Sequence, residues 1–202
     1  MSKLVDPRLD ATQTRALEAA LNLLETEGVL AVTHGAIFQK TGISRSTLYR
    51  HWPKLDDLRN AAFARATSGG KSFEPTNGPL RADLQWILGT LISALNQTPW
   101  GKIAPQVIGT AAVDRETSAL LHEWVQERRG RIRRVLELAV ERGEIRESAP
   151  IEELIDIAIS VPYFRKCMSG MPIDQAWLDG HIDLLWKLAR ADRYKTIDDQ
   201  EQ

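Results

Sequence analysis

Apolar residues recur along this chain at every third or fourth position, and no stretch alternates polar with apolar residues as a strand does. A sequence with that single period can bury its apolar stripes only by packing helix on helix, so an all-α fold is predicted. Local signals punctuate the period. Asp10, with Gln13 three positions on, has the form of a capping box ahead of Leu17, Ala20, Leu21 and Leu24, and Gly28 closes that helix. Thr33 opens a short helix that stops at Gly42. Ser44 opens another that runs to about Trp52, Pro53 breaks it, and a fourth helix is predicted over 55–67. Later helices are predicted over 80–96, between Asp114 and Gly143, from Pro150 with a kink at Pro162, and from Asp174 to about Ala191. The stretch 99–113, opening on Pro99, reads as broken.

Gly69, Gly70, Pro75, Gly78 and Pro79 crowd the segment 68–79, the clearest linker in the chain. It separates an N-terminal helical domain, 10–68, from a C-terminal helical bundle, 79–195. With 26 Lys and Arg against 27 Asp and Glu, the chain is not coated in basic charge, so any nucleic-acid footprint is local. Cys167 is the single cysteine, which rules out an internal disulfide framework and a multi-cysteine zinc site. The histidines His34, His51, His122 and His181 are never three or four apart, and no nucleophile–base pair stands out, so neither a metal, a cofactor nor an enzyme is expected. The N-terminal residues carry no signal-peptide pattern, and the longest apolar stretch, 87–95, is far short of the roughly 20 residues of a membrane span. A cytoplasmic protein with no membrane partner is expected.

The segment 33–58 carries the most information. Gly42-Ile43-Ser44 joins two short helices: Gly42 supplies a positive φ, Ile43 points inward, and Ser44 caps the second helix. That is the form of a helix-turn-helix, whose second helix enters the DNA major groove. Leu48 and Trp52, four apart, join Ile37 and Ile43 in a small core, which leaves Arg45, Ser46, Thr47, Tyr49 and Arg50 on the outer and flanking surfaces. Between Gly28 and Leu55 there is no Asp or Glu, yet Lys40, Arg45, Arg50 and Lys54 are present with His34 and His51. Such a patch attracts phosphates, and arginine at a helix start can read guanine. Helix pairs with a glycine turn also occur in all-α proteins that bind no DNA.

These residues resemble the TetR family of transcriptional regulators. The resemblance rests on Gly42-Ile43-Ser44, on Thr47-Leu48-Tyr49, on His51 followed by aromatic Trp52, on Leu58 after two acids, and on Glu27-Gly28 ahead of Thr33. At this level it covers about 15–65; beyond that the chain is similar only as a helical domain of suitable size. It implies an N-terminal three-helix DNA-binding domain with the helix-turn-helix and a C-terminal bundle for dimerisation and ligand binding. The implied DNA-binding set is Thr33, Ser44, Arg45, Ser46, Thr47, Tyr49, Arg50, His51 and Lys54. Within it Arg45, Ser46 and Thr47 face the groove, while Thr33, Tyr49, His51 and Lys54 hold phosphates. The chain departs from the family pattern at Phe38 and Thr41, where alanine is usual, at Gly35, often polar or basic, and at Lys54 and Leu55, where a cap and a cation usually stand.

Outside this segment Arg128, Arg129, Arg131, Arg133 and Arg134 form a dense basic run. A second nucleic-acid site is one reading; a solvated helix face, with Glu127 and Arg131 paired at i,i+4, is the preferred one. Of six tryptophans, Trp86, Trp100, Trp124, Trp177 and Trp186 lie beyond the linker. Trp86, Trp100, Trp124, Tyr163, Phe164 and Met168 are the candidates for binding an apolar or aromatic small-molecule effector, against the plainer reading of aromatic core. The last two helices are apolar on more than one face, which asks for a partner. The family resemblance implies pairing of these helices in a homodimer, and Ile155, Ile159, Leu178, Ile182, Leu185, Trp186 and Ala189 are the expected interface. The expected function is that of a ligand-responsive DNA-binding regulator, a repressor released from its operator by the effector. The alternatives are a dimeric DNA-binding protein without an effector and, less favoured, a helical enzyme.

Overall fold

A computed structural model of the chain describes residues 7–67 and 78–191, with side chains from residue 11 onward. Among the described residues there are nine α-helices and no strand. They are α1 (Pro7–Thr26), α2 (His34–Thr41), α3 (Arg45–His51), α4 (Leu55–Thr67), α5 (Leu80–Gln97), α6 (Trp100–Ala111), α7 (Arg115–Glu141), α8 (Ile151–Phe164) and α9 (Gln175–Arg190). A single 3-10 turn, Val29–Ala31, precedes α2, and a π turn, Arg165–Ser169, follows α8. The expected linker, 68–79, lies outside the described residues except for Gly78 and Pro79.

The local signals set most helix ends. Thr33 accepts from the Ala36 N–H at 3.1 Å and Ser44 from that of Thr47 at 3.2 Å. Asp114 accepts from the Thr117 N–H at 2.8 Å, and Asp174 from that of Trp177 at 2.9 Å. Each satisfies one of the N–H groups a helix start leaves without an internal partner. The start of α1 differs from expectation. The helix begins at Pro7, whose fixed φ suits a first turn, so Asp10 lies inside it and is not its cap.

The residues group into two compact units that interleave in sequence. One holds α1–α4, α6 and the first turns of α7; the other holds α5, the rest of α7, α8 and α9. The segment read as broken is helix α6, despite Pro105 in its interior. Trp100, Ile103, Ala104 and Val107, spaced i, i+3, i+4, i+7, are all buried in the first unit. Burying large apolar side chains yields about 1.5–3 kcal/mol each, which outweighs the roughly 3 kcal/mol an interior proline costs. Trp100 meets Phe63 of α4 edge-on, with ring centroids 5.1 Å apart. Arg59 of α4 points Nε at the Val32 carbonyl (3.4 Å) and Nη2 at that of Leu30 (3.5 Å), and pairs with Glu116 at 3.1 Å. It thus ties α4 to the 3-10 turn and to the start of α7.

In the second unit Leu80, Leu84, Leu88, Ile92 and Leu95 of α5 are buried, as are Ile132, Val135, Leu136 and Ala139 of α7. Glu144 accepts from the Leu80 N–H at 2.8 Å and closes the start of α5. Pro162 sits inside α8 without ending it. Its missing N–H leaves the Ala158 carbonyl, four residues back, to the His181 ring on α9. The helix then widens into the π turn.

The residues expected at the dimer interface fall into two groups by burial. Ile155, Leu178, Ile182, Leu185 and Ala189 are buried inside the single chain, where α8 and α9 pack within their own unit. A side chain already out of water has no area left to bury against a partner. Ile159 and Trp186 are half-buried. Also on α9, Leu184 is exposed, and Trp177 and Leu188 are half-buried.

Candidate nucleic-acid interface

The helix-turn-helix is built as its sequence implies. Gly42 takes φ 71° in the left-handed region, and its N–H closes α2 on the Phe38 carbonyl at 2.8 Å. A side chain would be strained at this φ. Ile37, Ile43, Leu48 and Trp52 are buried and clamp α2 to α3. Arg15 of α1 reaches the Thr41 carbonyl at the end of α2 (2.8 Å), an orphan acceptor of the helix terminus.

Above this core Ser44, Arg45, Ser46, Tyr49, Arg50 and Lys54 are exposed, and Thr33 and Thr47 are half-buried. The Ser44 hydroxyl lies 3.0 Å from that of Ser46 and 2.9 Å from that of Thr47, a small hydroxyl cluster at the start of α3. Thr33 uses its oxygen to accept as a cap, which leaves its O–H to donate outward. Tyr49 stacks on the His34 ring, centroids 4.3 Å apart, and His34 Nε2 lies 2.8 Å from the Trp52 carbonyl. The phenol is thus held by a buried, anchored histidine. Lys54 cannot cap α4 with its side chain; instead Asp57 accepts from the Lys54 N–H at 3.1 Å, one half of a capping box, leaving the ammonium exposed.

Two members of the basic window stand apart from this surface. Lys40 pairs with Glu27 at 3.5 Å and with Asn22 at 3.2 Å, so its charge is compensated. His51, expected to hold a phosphate, turns inward: its Nδ1 lies 2.9 Å from Gln13 Nε2 of α1, and its Nε2 is buried with no hydrogen-bond partner. Its ring fastens α3 to α1. The sequence carried no signal for Gln13 in this role, since the pair joins residues far apart in the chain.

The effector candidates are divided between the two units. Trp100 is core of the first unit. In the second unit Trp124 and Tyr163 meet edge-on at 6.5 Å, and the Arg128 guanidinium covers the Trp124 ring at 3.6 Å. Burial pushes the Arg128 pKa down to about 10. Trp86 is half-buried on α5, while Phe164 and Met168 are exposed, Met168 by 77%. An apolar cavity of about 10 Å³, room for about one water, lies among Leu80, Leu84, Ile132, Leu136, Leu154, Ala158, Leu185 and Ala189, none of them an effector candidate. The basic run on α7 is a compensated face. Arg129 bonds Asp156 and Glu152, Arg133 bonds Glu152, Arg131 pairs with Glu127, and Arg134 lies 3.3 Å from Glu141.

Two capped helices at a glycine turn, with hydroxyls and cations at the start of the second, define a helix-turn-helix DNA-binding protein. Residues 16–62 match the model of the bacterial regulatory proteins of the tetR family, and 74–185 match the tetracyclin repressor-like C-terminal domain. The chain belongs to the TetR family of transcriptional regulators. It is 29% identical over 171 residues to an HTH-type transcriptional regulator of Mycobacterium tuberculosis, covering 85% of this chain and 84% of that one. The solved TetR family transcription regulator SCO0332 is similar with a TM-score of 0.65 and 27% identity, over 89% of this chain and 98% of its own. GusR of Salmonella enterica shares the fold, with a TM-score of 0.66 at 14% identity over 93% of this chain and 99% of that one. Among the described residues no helix is long and apolar enough to cross a membrane.

Proposed function

We propose that this regulator works in the cytoplasm, by binding and not by catalysis, as a homodimeric repressor that holds duplex operator DNA through α3. The observation that carries this reading is the exposed set Arg45, Ser46, Tyr49, Arg50 and Lys54, standing on a buried clamp and flanked by no unpaired carboxylate of α2 or α3. Arg45, Ser46 and Thr47 read base edges; Thr33, Tyr49, Arg50 and Lys54 hold phosphates; Ser44 caps α3 and orients its first turn. His51 contributes by fixing α3 on α1. Residues 10–68 serve as the DNA-binding domain and 79–195 as the domain for dimerisation and effector binding. Two protomers pair through the outer faces of α8 and α9, where Ile159, Trp186, Leu184 and Leu188 keep apolar surface, and present their recognition helices about 34–36 Å apart, one turn of DNA.

The effector is apolar or aromatic and meets the Trp124–Tyr163 pair. It releases DNA only by its differential affinity for the two spacings of the recognition helices. Selection of bound duplexes from a random pool, followed by salt titration, tests the DNA reading. Enrichment of a sequence whose log affinity falls steeply with log salt is the expected result, and salt-independent binding contradicts it. The tightly filled core around α5, α7, α8 and α9 favours a second reading, in which the C-terminal helices only dimerise. Tryptophan fluorescence titrated with hydrophobic compounds, with and without operator, separates the two: an effector binds less tightly when operator is present, by the factor it weakens operator binding.

A further inference from the structure

Phe38 is out of place in a polar surface. It sits on α2, one turn before Gly42, with 42% of its area exposed, and the Arg45 guanidinium lies over its ring at 5.8 Å from the centroid. Arg45 also passes close to Gly35, one turn earlier on the same helix: a Cβ built on Gly35 would stand 3.6 Å from Arg45 Nη2. A methyl group there would stand in ordinary van der Waals contact with the guanidinium. The bare backbone at Gly35 and the ring of Phe38 therefore form a shelf on α2, and the first residue of α3 lies along it.

We propose that Phe38 is a specificity-determining residue, positioning Arg45 for base reading so that the preference at the base pair Arg45 contacts depends on the aromatic ring. The inference rests on the DNA-binding reading above. A guanidinium lying on an aromatic face uses its π surface and leaves its in-plane N–H groups for an acceptor. Guanine offers two such acceptors, O6 and N7, side by side in the major groove. An unrestrained arginine surrenders its rotamer freedom when it docks on that pair; one already drawn toward the Phe38 ring surrenders less. The ring thus acts through Arg45. It raises discrimination at one base pair and leaves the phosphate contacts of Tyr49, Arg50 and Lys54 unchanged.

The test is a double-mutant cycle on the full-length protein. The selected operator and its single-base variants are titrated against wild type, Phe38→Ala, Arg45→Ala and the double variant. Arg45→Ala is expected to flatten the preference at one base pair. Phe38→Ala is expected to reduce preference at that same pair by about twofold to fivefold, with affinity for scrambled duplex and its salt slope unchanged. In the Arg45→Ala background Phe38→Ala has no further effect. Phe38→Leu keeps bulk without a π face and is expected to behave as Phe38→Ala, whereas Phe38→Trp keeps the preference; thermal unfolding confirms that each variant folds. Should Phe38→Leu retain full preference, bulk alone suffices and the proposal falls. It falls equally if Phe38→Ala weakens every duplex alike or still acts when Arg45 is absent. A wild type that enriches no duplex overturns the DNA-binding reading itself, while enrichment with a preference indifferent to Phe38 overturns only this inference.

Discussion

On α3 the only buried residue is Leu48, with Trp52 buried just beyond the helix, and most other side chains face out as hydroxyls, cations or the Tyr49 phenol. On α9 Leu178, Ile182, Leu185 and Ala189 are all buried, and yet Trp177, Leu184, Trp186 and Leu188 still line its other faces. The two helices divide labour by what is left after the core is filled. What α3 leaves outside is chemistry that phosphates and base edges can use. What α9 leaves outside is mixed: Asp179, Lys187 and Arg190 are exposed, and beside them Leu184, Trp186 and Leu188 keep apolar area that another apolar surface can cover. A small core under α3 leaves a polar face outside, whereas the larger core under α9 still leaves apolar side chains at its margin.

The largest effect that separates these roles comes from the same charge placed two positions apart on α9. Ile182 is fully buried and Leu184 is 48% exposed. Ile182→Glu buries a carboxylate without a partner and is expected to remove about 3–5 kcal/mol of stability, enough to unfold a marginal domain. Leu184→Glu is expected to leave the protomer folded and shift sedimentation from dimer to monomer. If Ile182→Glu stays folded and merely dissociates, the division of α9 into core and outer faces is wrong. A Leu184→Glu protein that remains dimeric at micromolar concentration removes Leu184 from the interface.

The next contrast sets the cations of the two units against each other. Arg45→Ala is expected to cost about 1–3 kcal/mol of operator affinity and to change sequence preference. Tyr49→Phe and Lys54→Ala weaken all duplexes alike. Arg131→Ala and Arg134→Ala should change DNA binding not at all, because Glu127 and Glu141 already neutralise those guanidinium groups on α7. Filter binding of the variants at two salt concentrations checks this. A loss of affinity in the α7 variants restores the second nucleic-acid site that their pairing argues against.

How legible each region was depends on the range of the forces that shape it. Thr33, Gly42, Ser44, Asp114 and Asp174 were readable because a cap or a left-handed turn is settled within four residues. Helix α6 was not, since Pro99 and Pro105 are local breakers and what overrides them is burial of Trp100 against Phe63, a partner from α4. The orientation of His51 is set in the same non-local way, its ring being held by Gln13 of α1. On α9 the apolar positions were plain, but which stripe meets its own core and which meets a partner depends on where α5, α7 and α8 lie. Periodicity gives faces and does not say what each face meets.

Capping offers a finer comparison, with smaller effects. Ser44→Ala and Asp174→Ala each remove an acceptor from a helix start and are expected to lower stability by about 0.5–2 kcal/mol. Only Ser44→Ala should also weaken operator binding, since its hydroxyl orders Ser46 and Thr47 at the start of the reading head. Chemical denaturation gives the first quantity and operator titration the second. Equal operator affinity in both variants would reduce Ser44 to a cap alone.

The smallest effect concerns the two buried histidines, one in each unit. His34 Nε2 has the Trp52 carbonyl at 2.8 Å and its ring supports Tyr49. His181 stacks on Trp177 at 4.8 Å, with the Arg165 guanidinium 5.1 Å from the same Trp177 ring, and its Nε2 is buried without a hydrogen-bond partner. Burial lowers the His181 pKa below its ordinary 6.5, and the hydrogen bond to the Ala158 carbonyl opposes that shift only in part. The unfolded chain therefore takes up a proton at this residue before the folded chain does. Stability from His181 is complete above about pH 6.5, declines as the pH falls below that value, and levels off once the pH is below the lowered folded pKa. His181→Gln keeps a donor for the Ala158 carbonyl and removes the titration. Melting midpoints of wild type and His181→Gln, measured in steps from about pH 7.5 down to about pH 5, should converge or cross toward acid as the wild type loses ground. Parallel curves across that range would show that the buried ring of the second unit is as indifferent to protons as the helices around it.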